Sequence, residues 1–459
     1  RLRVMKKIVF LPVETEVREI DAKLVMASKI ADEKTTCFVG QHNVLNQIAP
    51  LFNGGVYMGK NIFLENMNST NEIYELYKQN NFSILWNHEE GAIYGGSKEK
   101  WNNELKELLD PNRLSEDDMI LCWGSYQKEY YESFKVHTPI KIVGGYRLDL
   151  GNNSDLRALL QSTNRVKQKD YILIDTNCAW GNHFMPHQQE YKVFQEKAEA
   201  NNSDHLTKHN LLGLLSEDLI KIGFFCNLIS YLMENNPNKH FVLRPHPTES
   251  LSFYENVFHG FPNIKITKDY SAIEWIENCS VLIQSGCTTA LEAYFLEKPI
   301  VSFHPFDSKY SVDVTKGIGQ TCTSFAEVDN FIKNPTFKSE ILDNDLGIKS
   351  LIDNFNTKSS SIDVIVDEIK KSNTAKPESK IDFRKIKGIE NKNRLKNSLK
   401  YYPRKFFFGD KQESYEMATD HFPGFKEEEI IKKINSLKAL SDKQIVLNYL
   451  SDNLIVISS

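Results

Sequence analysis

The stretch Phe241-Val242-Leu243-Arg244-Pro245-His246-Pro247 is followed by Asp269-Tyr270-Ser271-Ala272-Ile273-Glu274-Trp275. Then comes Val281-Leu282-Ile283-Gln284-Ser285-Gly286-Cys287-Thr288-Thr289-Ala290-Leu291-Glu292-Ala293. Together they read as an apolar strand ending in a histidine, a helix, a second strand, a small-residue turn and a second helix. Short apolar runs alternating with helical-period segments mark βαβ units on a parallel sheet, which binds ligands at the carboxyl ends of its strands. Ser285-Gly286 closes a strand and leads into a helix whose first N–H groups lack partners. With the hydroxyls of Ser285, Thr288 and Thr289 this turn is an expected phosphate site. His246, read as lying at an adjacent strand end beside Arg244, is placed to donate to the same phosphate and to stabilise charge on a departing nucleotide. Glu274 and Glu292 are candidates for gripping a ribose diol. Each feature alone also reads as capping threonines, a proline-flanked loop histidine or a helix-surface carboxylate. Their combination favours the phosphate reading.

The alternation extends over most of the 459 residues. Strands are expected at Ile8–Val13, Thr36–Val39, Gly55–Met58, Phe82–Trp86, Met119–Trp123 and Ile140–Val143, and then at Tyr171–Ile174, Phe241–Arg244, Ile264–Ile266, Val281–Gln284 and Ile300–Phe303. Helices are expected over Val17–Ala31, Leu214–Glu234, Ser271–Asn278 and Thr288–Leu296. The predicted class is α/β of GT-B type, with two Rossmann-like doubly wound domains (5–155 and 156–372) facing a central cleft. A C-terminal extension (373–459) is basic and aromatic over 385–411 and then helical over Lys426–Leu440.

In the first domain, strand Phe82–Trp86 runs into Asn87-His88-Glu89-Glu90-Gly91. Two carboxylates at a strand end offer a base for an incoming hydroxyl. They point apart if the strand persists, so one is the base; Glu90 is preferred, with Glu89 structural or steering and His88 beside them. Glu14 and Arg18 lie where the first strand passes into the first helix, and Arg18 suits bidentate pairing with a sugar carboxylate. Asp175, closing Tyr171–Ile174, reads either as a nucleophile for a retaining mechanism or as a turn former.

Lys plus Arg is 56 against 61 for Asp plus Glu, a net charge of −5 that gives no global signal for nucleic acid. No apolar run approaches the ~18 residues of a membrane span. The seven cysteines are scattered without a CxxC pair, which argues against a disulfide framework or a zinc site and fits a reducing cytoplasm. Ile8–Val13 is too short, and too soon followed by Glu14, Glu16, Arg18 and Glu19, to be a signal peptide's apolar core. Asp343-Asn344-Asp345 matches a metal-binding acidic triplet in form but falls in a loop, so no metal is expected; Gly317-Ile318-Gly319 lacks the third glycine of a dinucleotide fingerprint.

Several motifs together carry a family resemblance. These are Leu11-Pro12-Val13-Glu14 with Arg18-Glu19-Ile20-Asp21-Ala22-Lys23-Leu24, then Glu89-Glu90-Gly91, Arg244-Pro245-His246-Pro247, and Ser285 through Glu292. Over roughly residues 5–375 the chain resembles bacterial surface carbohydrate biosynthesis proteins. In motif order it is similar to bacterial sialyltransferases and Kdo transferases of GT-B fold. The resemblance implies transfer of a nonulosonic acid (sialic, pseudaminic or legionaminic type) or Kdo from a CMP-sugar to a surface glycan, without metal or other cofactor and without nucleic acid. Where the glycan acceptor is lipid-linked, 385–411 offers peripheral contact with the inner face of the cytoplasmic membrane. Carried over residue by residue, Glu90 or Glu89 is the base, His246 the phosphate donor and general acid, Thr288 and Thr289 phosphate ligands, and Glu274 a ribose ligand. A Thr-Thr pair behind Ser-Gly-Cys departs from the usual serine-rich pair, which leaves the phosphate ligands open among Ser285, Gly286, Thr288 and Thr289. Glu90 acting alone implies inversion, and prior attack by Asp175 implies retention. Two alternatives share parts of the pattern: CDP-glycerol glycerophosphotransferases, through the His-Pro strand and Phe306-Asp307-Ser308-Lys309-Tyr310, and GT-B sugar-nucleotide epimerases, through Ser-Gly and Glu292.

Overall fold

The computed structural model describes residues 6–60, 62–63, 70–91, 98–184, 208–308, 313–342, 347–372, 381–393, 422–441 and 444–459. Its strands in chain order begin with β1 (Lys7–Val13), β2 (Thr35–Gln41), β3 (Gly55–Gly59), β4 (Phe82–Trp86), β5 (Met119–Cys122), β6 (Ile140–Ile142) and β7 (Tyr171–Asp175). They continue with β8 (Phe241–Arg244), β9 (Ile264–Ile266), β10 (Cys279–Gln284), β11 (Ile300–Phe303), β12 (Gln320–Cys322), β13 (Val446–Ser451) and β14 (Leu454–Ser458). The helices that bear on the sites are α1 (Glu16–Ile30), α2 (Lys208–Asn235), α3 (Leu251–Val257), α4 (Ala272–Asn278), α5 (Thr289–Phe295), α6 (Ser361–Lys371) and α7 (Glu427–Leu440).

The chain folds as two units, the first comprising Arg1–Gly91, Leu105–Thr163 and Ser350–Ser459, the second Ala92–Glu104 and Asn164–Lys349. In the first unit, β1 is apolar and buried at every residue after Lys7, as a strand covered on both faces must be. It pairs in parallel with β2 through seven residues. α1 carries Glu16 and Glu19 in its first turn and Lys29 in its last, which matches the helix dipole. The sheet order is β13-β14-β2-β1-β3-β4-β5-β6, so the direction of winding reverses between β1 and β3. Phe10 anchors the core, edge-on to Phe38 at 5.5 Å and Phe52 at 5.7 Å and tilted against Phe82 at 5.1 Å. Truncating such a fully buried ring costs about 3–5 kcal/mol.

The second unit holds a parallel sheet in the order β12-β11-β10-β7-β8-β9. Counted from β7, this is the Rossmann order 3-2-1-4-5-6, whose winding reverses between β7 and β10. α2 packs Phe225, Leu228, Ile229 and Leu232 against Ile172, Ile174, Leu243, Val281, Ile283 and Phe303 of the sheet. Both units are therefore Rossmann-like and doubly wound, the domain content expected of the GT-B class.

Three expectations change. The strands bearing His246 and Ser285 are not neighbours: β7 lies between β8 and β10, so Asp175 stands between the two motifs. Residues 350–372, assigned by pattern to the second domain, pack with the first unit. Lys29 of α1 pairs with Asp363 of α6 at 2.7 Å, and Asp149 accepts from Ser360 Oγ at 2.7 Å and from Ile362 N at 3.0 Å. The C-terminal extension is not solely helical either. β14 pairs antiparallel with β2 and extends the first sheet, while α7 reaches α1 through Lys433 and Asp21 at 2.5 Å. Residues 385–393 are described, but the rest of the basic aromatic segment, with Lys396, Lys400, Arg404 and Lys405, lies outside the described residues, as does Asp343-Asn344-Asp345. All seven cysteines are free. No described helix is long and apolar enough to cross a membrane.

Candidate functional site

Charged side chains collect at the carboxyl ends of β1, β3 and β4 in the first unit. β4 ends at Trp86, and the turn through Gly91 presses against Trp123; a Cβ on Gly91 would lie 2.6 Å from the indole. This close approach fixes the path of the residues between. Glu89 turns inward, 4 % exposed, with Lys60 at 3.6 Å and Lys23 at 3.8 Å. Glu90 turns outward and accepts from Arg18 at 2.9 Å. His88 Nδ1 accepts from the Glu90 N–H at 3.1 Å. Glu14, following β1, pairs with Lys60 at 2.7 Å. Glu14, Arg18, His88, Glu89 and Glu90 thus form one network; the two glutamates point apart, but because of the turn that follows β4, since the strand itself stops at Trp86.

Burial alone would raise both glutamates. For Glu89 the charges of Lys23 and Lys60 outweigh it, and for Glu90 those of Arg147 and Arg18, so each carboxyl is held below its ordinary value. Burial and Lys60 push His88 down to about 4, which makes it neutral near pH 7. Burial and the adjacent Glu89 push Glu19 up to about 7. Sequence reasoning assigned no role to Lys23, fully buried among Glu89 and Glu19, or to Lys60. Position carried a signal for Lys60, the residue that directly follows β3, because parallel-sheet sites are built at such ends.

In the second unit the register sets Asp175 of β7 opposite Gln284 of β10 on one side and Arg244 of β8 on the other. The Ser285–Thr289 turn is fixed from below. Gln284 accepts from the Cys287 N–H at 2.8 Å and donates to Ser302 Oγ at 2.7 Å. Gly286 has φ +71°, a conformation glycine adopts without strain. Ser285 is buried, Thr288 half-buried. Asp175 is 2 % exposed, and neither of its oxygens has a hydrogen-bond partner among the described residues. The same holds for Thr289 Oγ1, Glu292 Oε2 and Arg244 Nε. Burial pushes the Asp175 carboxyl up to about 7, with the Arg244 charge pulling the other way and Glu292 adding to the rise. A carboxyl near half-protonation is a weak resident nucleophile.

His246 follows β8 and is half-buried; its Nδ1 accepts from the Thr248 N–H at 3.3 Å and lies 2.8 Å from Thr248 Oγ1. Glu274 is spent elsewhere. It caps α4 through Ser271 and takes Arg165 Nε at 2.9 Å and Nη2 at 2.8 Å, and against the upward push of burial these partners hold it down to about 2. The candidate ribose carboxylate is therefore Glu292 rather than Glu274. Glu249, in Arg-Pro-His-Pro-Thr-Glu, also escaped sequence reasoning; it is fully buried and takes hydrogen bonds from Thr176, Cys178, His246 and Tyr254. No group of three or more His, Cys, Asp or Glu with metal-binding geometry occurs among the described residues.

No protein-family model and no curated protein matches the chain. Solved structures do. UDP-GlcNAc 2-epimerase from Methanocaldococcus jannaschii is 14% identical, covers 80% of this chain and 99% of its own, and has a TM-score of 0.45. A variant of the wall teichoic acid polymerase TagF is 13% identical over 80% of this chain and 88% of its own, with a TM-score of 0.44. S. aureus MnaA in complex with UDP is 9% identical over 82% of this chain and 100% of its own, also with a TM-score of 0.44. Likenesses of this degree carry no information about substrate.

Proposed function

We propose that the chain is a glycosyltransferase that takes a nonulosonic acid or Kdo from a CMP-sugar and delivers it to a bacterial surface glycan. The observation that carries this reading is the set of buried, unpartnered polar atoms where the winding of the second sheet reverses. Asp175, Thr289 and Glu292 offer acceptors that lack donors, and Arg244 offers an N–H that lacks an acceptor. A nucleotide presents both complements, hydroxyl donors on its ribose and an anionic phosphate. Each such group costs about 1–3 kcal/mol while it stays buried and unmet, which a complementary ligand relieves. The crevice at a topological switch point is also where doubly wound sheets bind nucleotides.

In this reading Glu292 grips the ribose, and Ser285, Gly286, Thr288 and Thr289 cradle the phosphate. His246 donates a hydrogen bond from its Nε2–H to the phosphate of the departing CMP. That donor supplies the stabilisation an oxocarbenium-like transition state needs at its leaving group. Glu90 accepts the acceptor hydroxyl's proton and the anomeric centre inverts. A depressed carboxyl is a weak base until Arg18 is drawn off it, and the carboxylate of an incoming ulosonic acid is a suitable partner for that guanidinium. The basic stretch 385–411 would bring the enzyme to an anionic bilayer carrying a lipid-linked acceptor.

Incubating the protein separately with a CMP-ulosonic acid, CDP-glycerol and UDP-GlcNAc, each with and without acceptor, tests the reading. Release of CMP from the first alone is expected. Turnover of CDP-glycerol would move the chain to the glycerophosphotransferases, and acceptor-independent conversion of UDP-GlcNAc to the epimerases. Co-sedimentation with anionic vesicles should be lost when Lys396, Lys400, Arg404 and Lys405 are neutralised; unchanged binding would reject the membrane contact.

A further inference from the structure

We infer that Glu249 is a positioning residue for His246: it ties the loops after β7 and β8 to one carboxylate oxygen and so holds the imidazole as a single tautomer, with its proton on Nε2. Glu249 Oε1 accepts from Thr176 Oγ1 at 2.8 Å, from the Cys178 N–H at 3.1 Å and from the His246 N–H at 3.0 Å. Tyr254 of α3 donates to Oε2 at 2.8 Å. Two of the three groups on Oε1 are backbone N–H groups, which only donate, so that oxygen is an acceptor. The side chain is 0 % exposed. Further backbone bonds close the same two loops on each other, Phe184 N to Thr248 O at 3.0 Å and Ser250 N to Asn182 O at 2.6 Å.

The link to the imidazole runs through Thr248. Its N–H points at His246 Nδ1 from 3.3 Å. The Thr248 hydroxyl lies nearer the same nitrogen, at 2.8 Å, and can take either role; the N–H can only donate, which makes Nδ1 the acceptor and puts the proton of the neutral ring on Nε2. The arrangement depends on the backbone path from 246 to 248, and Glu249 fixes the start of that path through the His246 N–H. An alanine would strand four donors. A glutamine keeps one carbonyl oxygen for them, and its amide can donate to Tyr254 once that hydroxyl turns. An aspartate keeps the charge but draws the oxygen back by one methylene.

The tautomer is a property of the unliganded chain; that its Nε2–H donates a hydrogen bond to a phosphate rests on the function proposed above. Two readouts separate them. Nitrogen-15 NMR of labelled histidine should show His246 in the full-length protein as one tautomer with Nδ1 unprotonated. In Glu249→Ala it should show exchange between both tautomers, and in Glu249→Gln a return to the single form. With a CMP-ulosonic donor, kcat should fall about tenfold in Glu249→Ala while KM stays within about twofold, and Glu249→Gln should recover most of the loss. Should Glu249→Ala fail to fold, Glu249→Asp carries the same test, with mixed tautomers expected. A single-tautomer spectrum in a folded Glu249→Ala or Glu249→Asp overturns the proposal whatever the substrate, as does a wild-type His246 protonated on Nδ1. Spectra that change as expected in a protein that turns over no CMP-sugar uphold the positioning and overturn the function.

Discussion

The two sheets treat the acids at their strand ends differently, although the first also holds buried atoms with no hydrogen bond among the described residues, Tyr57 OH, Asn87 Oδ1 and Glu89 Oε2. At the ends of β1, β3 and β4 each of three acids has a cation beside it, Glu14 with Lys60 at 2.7 Å, Glu89 with Lys60 at 3.6 Å and Glu90 with Arg18 at 2.9 Å. At the ends of β7 and β10 a buried carboxyl stands with no hydrogen bond among the described residues, and Thr289, Glu292 and Arg244 each keep an atom unmet. A network of paired charges is organised before any ligand arrives. A set of unmet groups is held at a cost to stability, and only a ligand that supplies the missing partners relieves it. In the first unit the acids are held by cations already in place, whereas Asp175 in the second stands open to a ligand's donor.

Removing a buried charge should destabilise the first region and not the second. The largest effect is expected from Lys23→Met, which leaves Glu89 and Glu19 buried beside no cation from α1. Breaking a buried pair in this way should lower the unfolding free energy by about 3–5 kcal/mol in urea titrations. A loss below about 1 kcal/mol would mean the network is not electrostatically tight. Next in size, His246→Ala should keep its fold and lose about 100-fold in kcat for CMP release, the contribution of a positioned hydrogen-bond donor to the developing charge. An unchanged rate would remove His246 from the chemistry.

Asp175→Asn gives the opposite sign to Lys23→Met. Near pH 8 it should leave stability unchanged or raise it by about 1 kcal/mol, because an unmet buried carboxylate is gone, and it should weaken CMP binding. Its pH dependence follows from the upward shift. The folded carboxyl titrates at about 7, whereas an unfolded aspartate titrates near 4. Between those values the folded state binds more protons than the unfolded one. Asp175 therefore contributes stability that is fully present below about pH 4 and is lost as pH rises through about 7. Thermal melts at pH 5 and pH 8 should differ more for wild type than for Asp175→Asn; equal differences would place the carboxyl at its ordinary value. The smallest effect belongs to Arg18→Gln. Its partner Glu90 is 39 % exposed, so the pair contributes under about 1 kcal/mol to stability. The change should show instead as a raised KM for a carboxylate-bearing sugar, with melting temperature unmoved.

Much of this was legible in the residues. Apolar runs such as Ile8–Val13 and Val281–Gln284 announce buried parallel strands because both of their faces must be covered. Glu89-Glu90 and Arg-Pro-His-Pro stand out because charge and ring nitrogen follow directly on such runs. What escaped is non-local. Nothing in the chain near Phe241 or Val281 says that β10 crosses to the far side of β7, which puts Asp175 rather than Ser285 next to Arg244. The pairing of Glu14 with Lys60 joins residues that follow different strands, and the return of 350–372 to the first unit is marked by no change in composition. β13 is half-exposed along most of its length, so it lacks the apolar run by which the buried strands were found. Glu249 looks like any loop glutamate until the fold brings four donors onto it.

The most direct test is a crystal of the protein soaked with CMP. The account predicts nucleotide at the carboxyl ends of β7 and β10, its phosphate within hydrogen-bond distance of His246 and Thr289 and its ribose on Glu292. CMP found at another place on the chain, or no CMP at saturating concentration with these side chains still unmet, would contradict it.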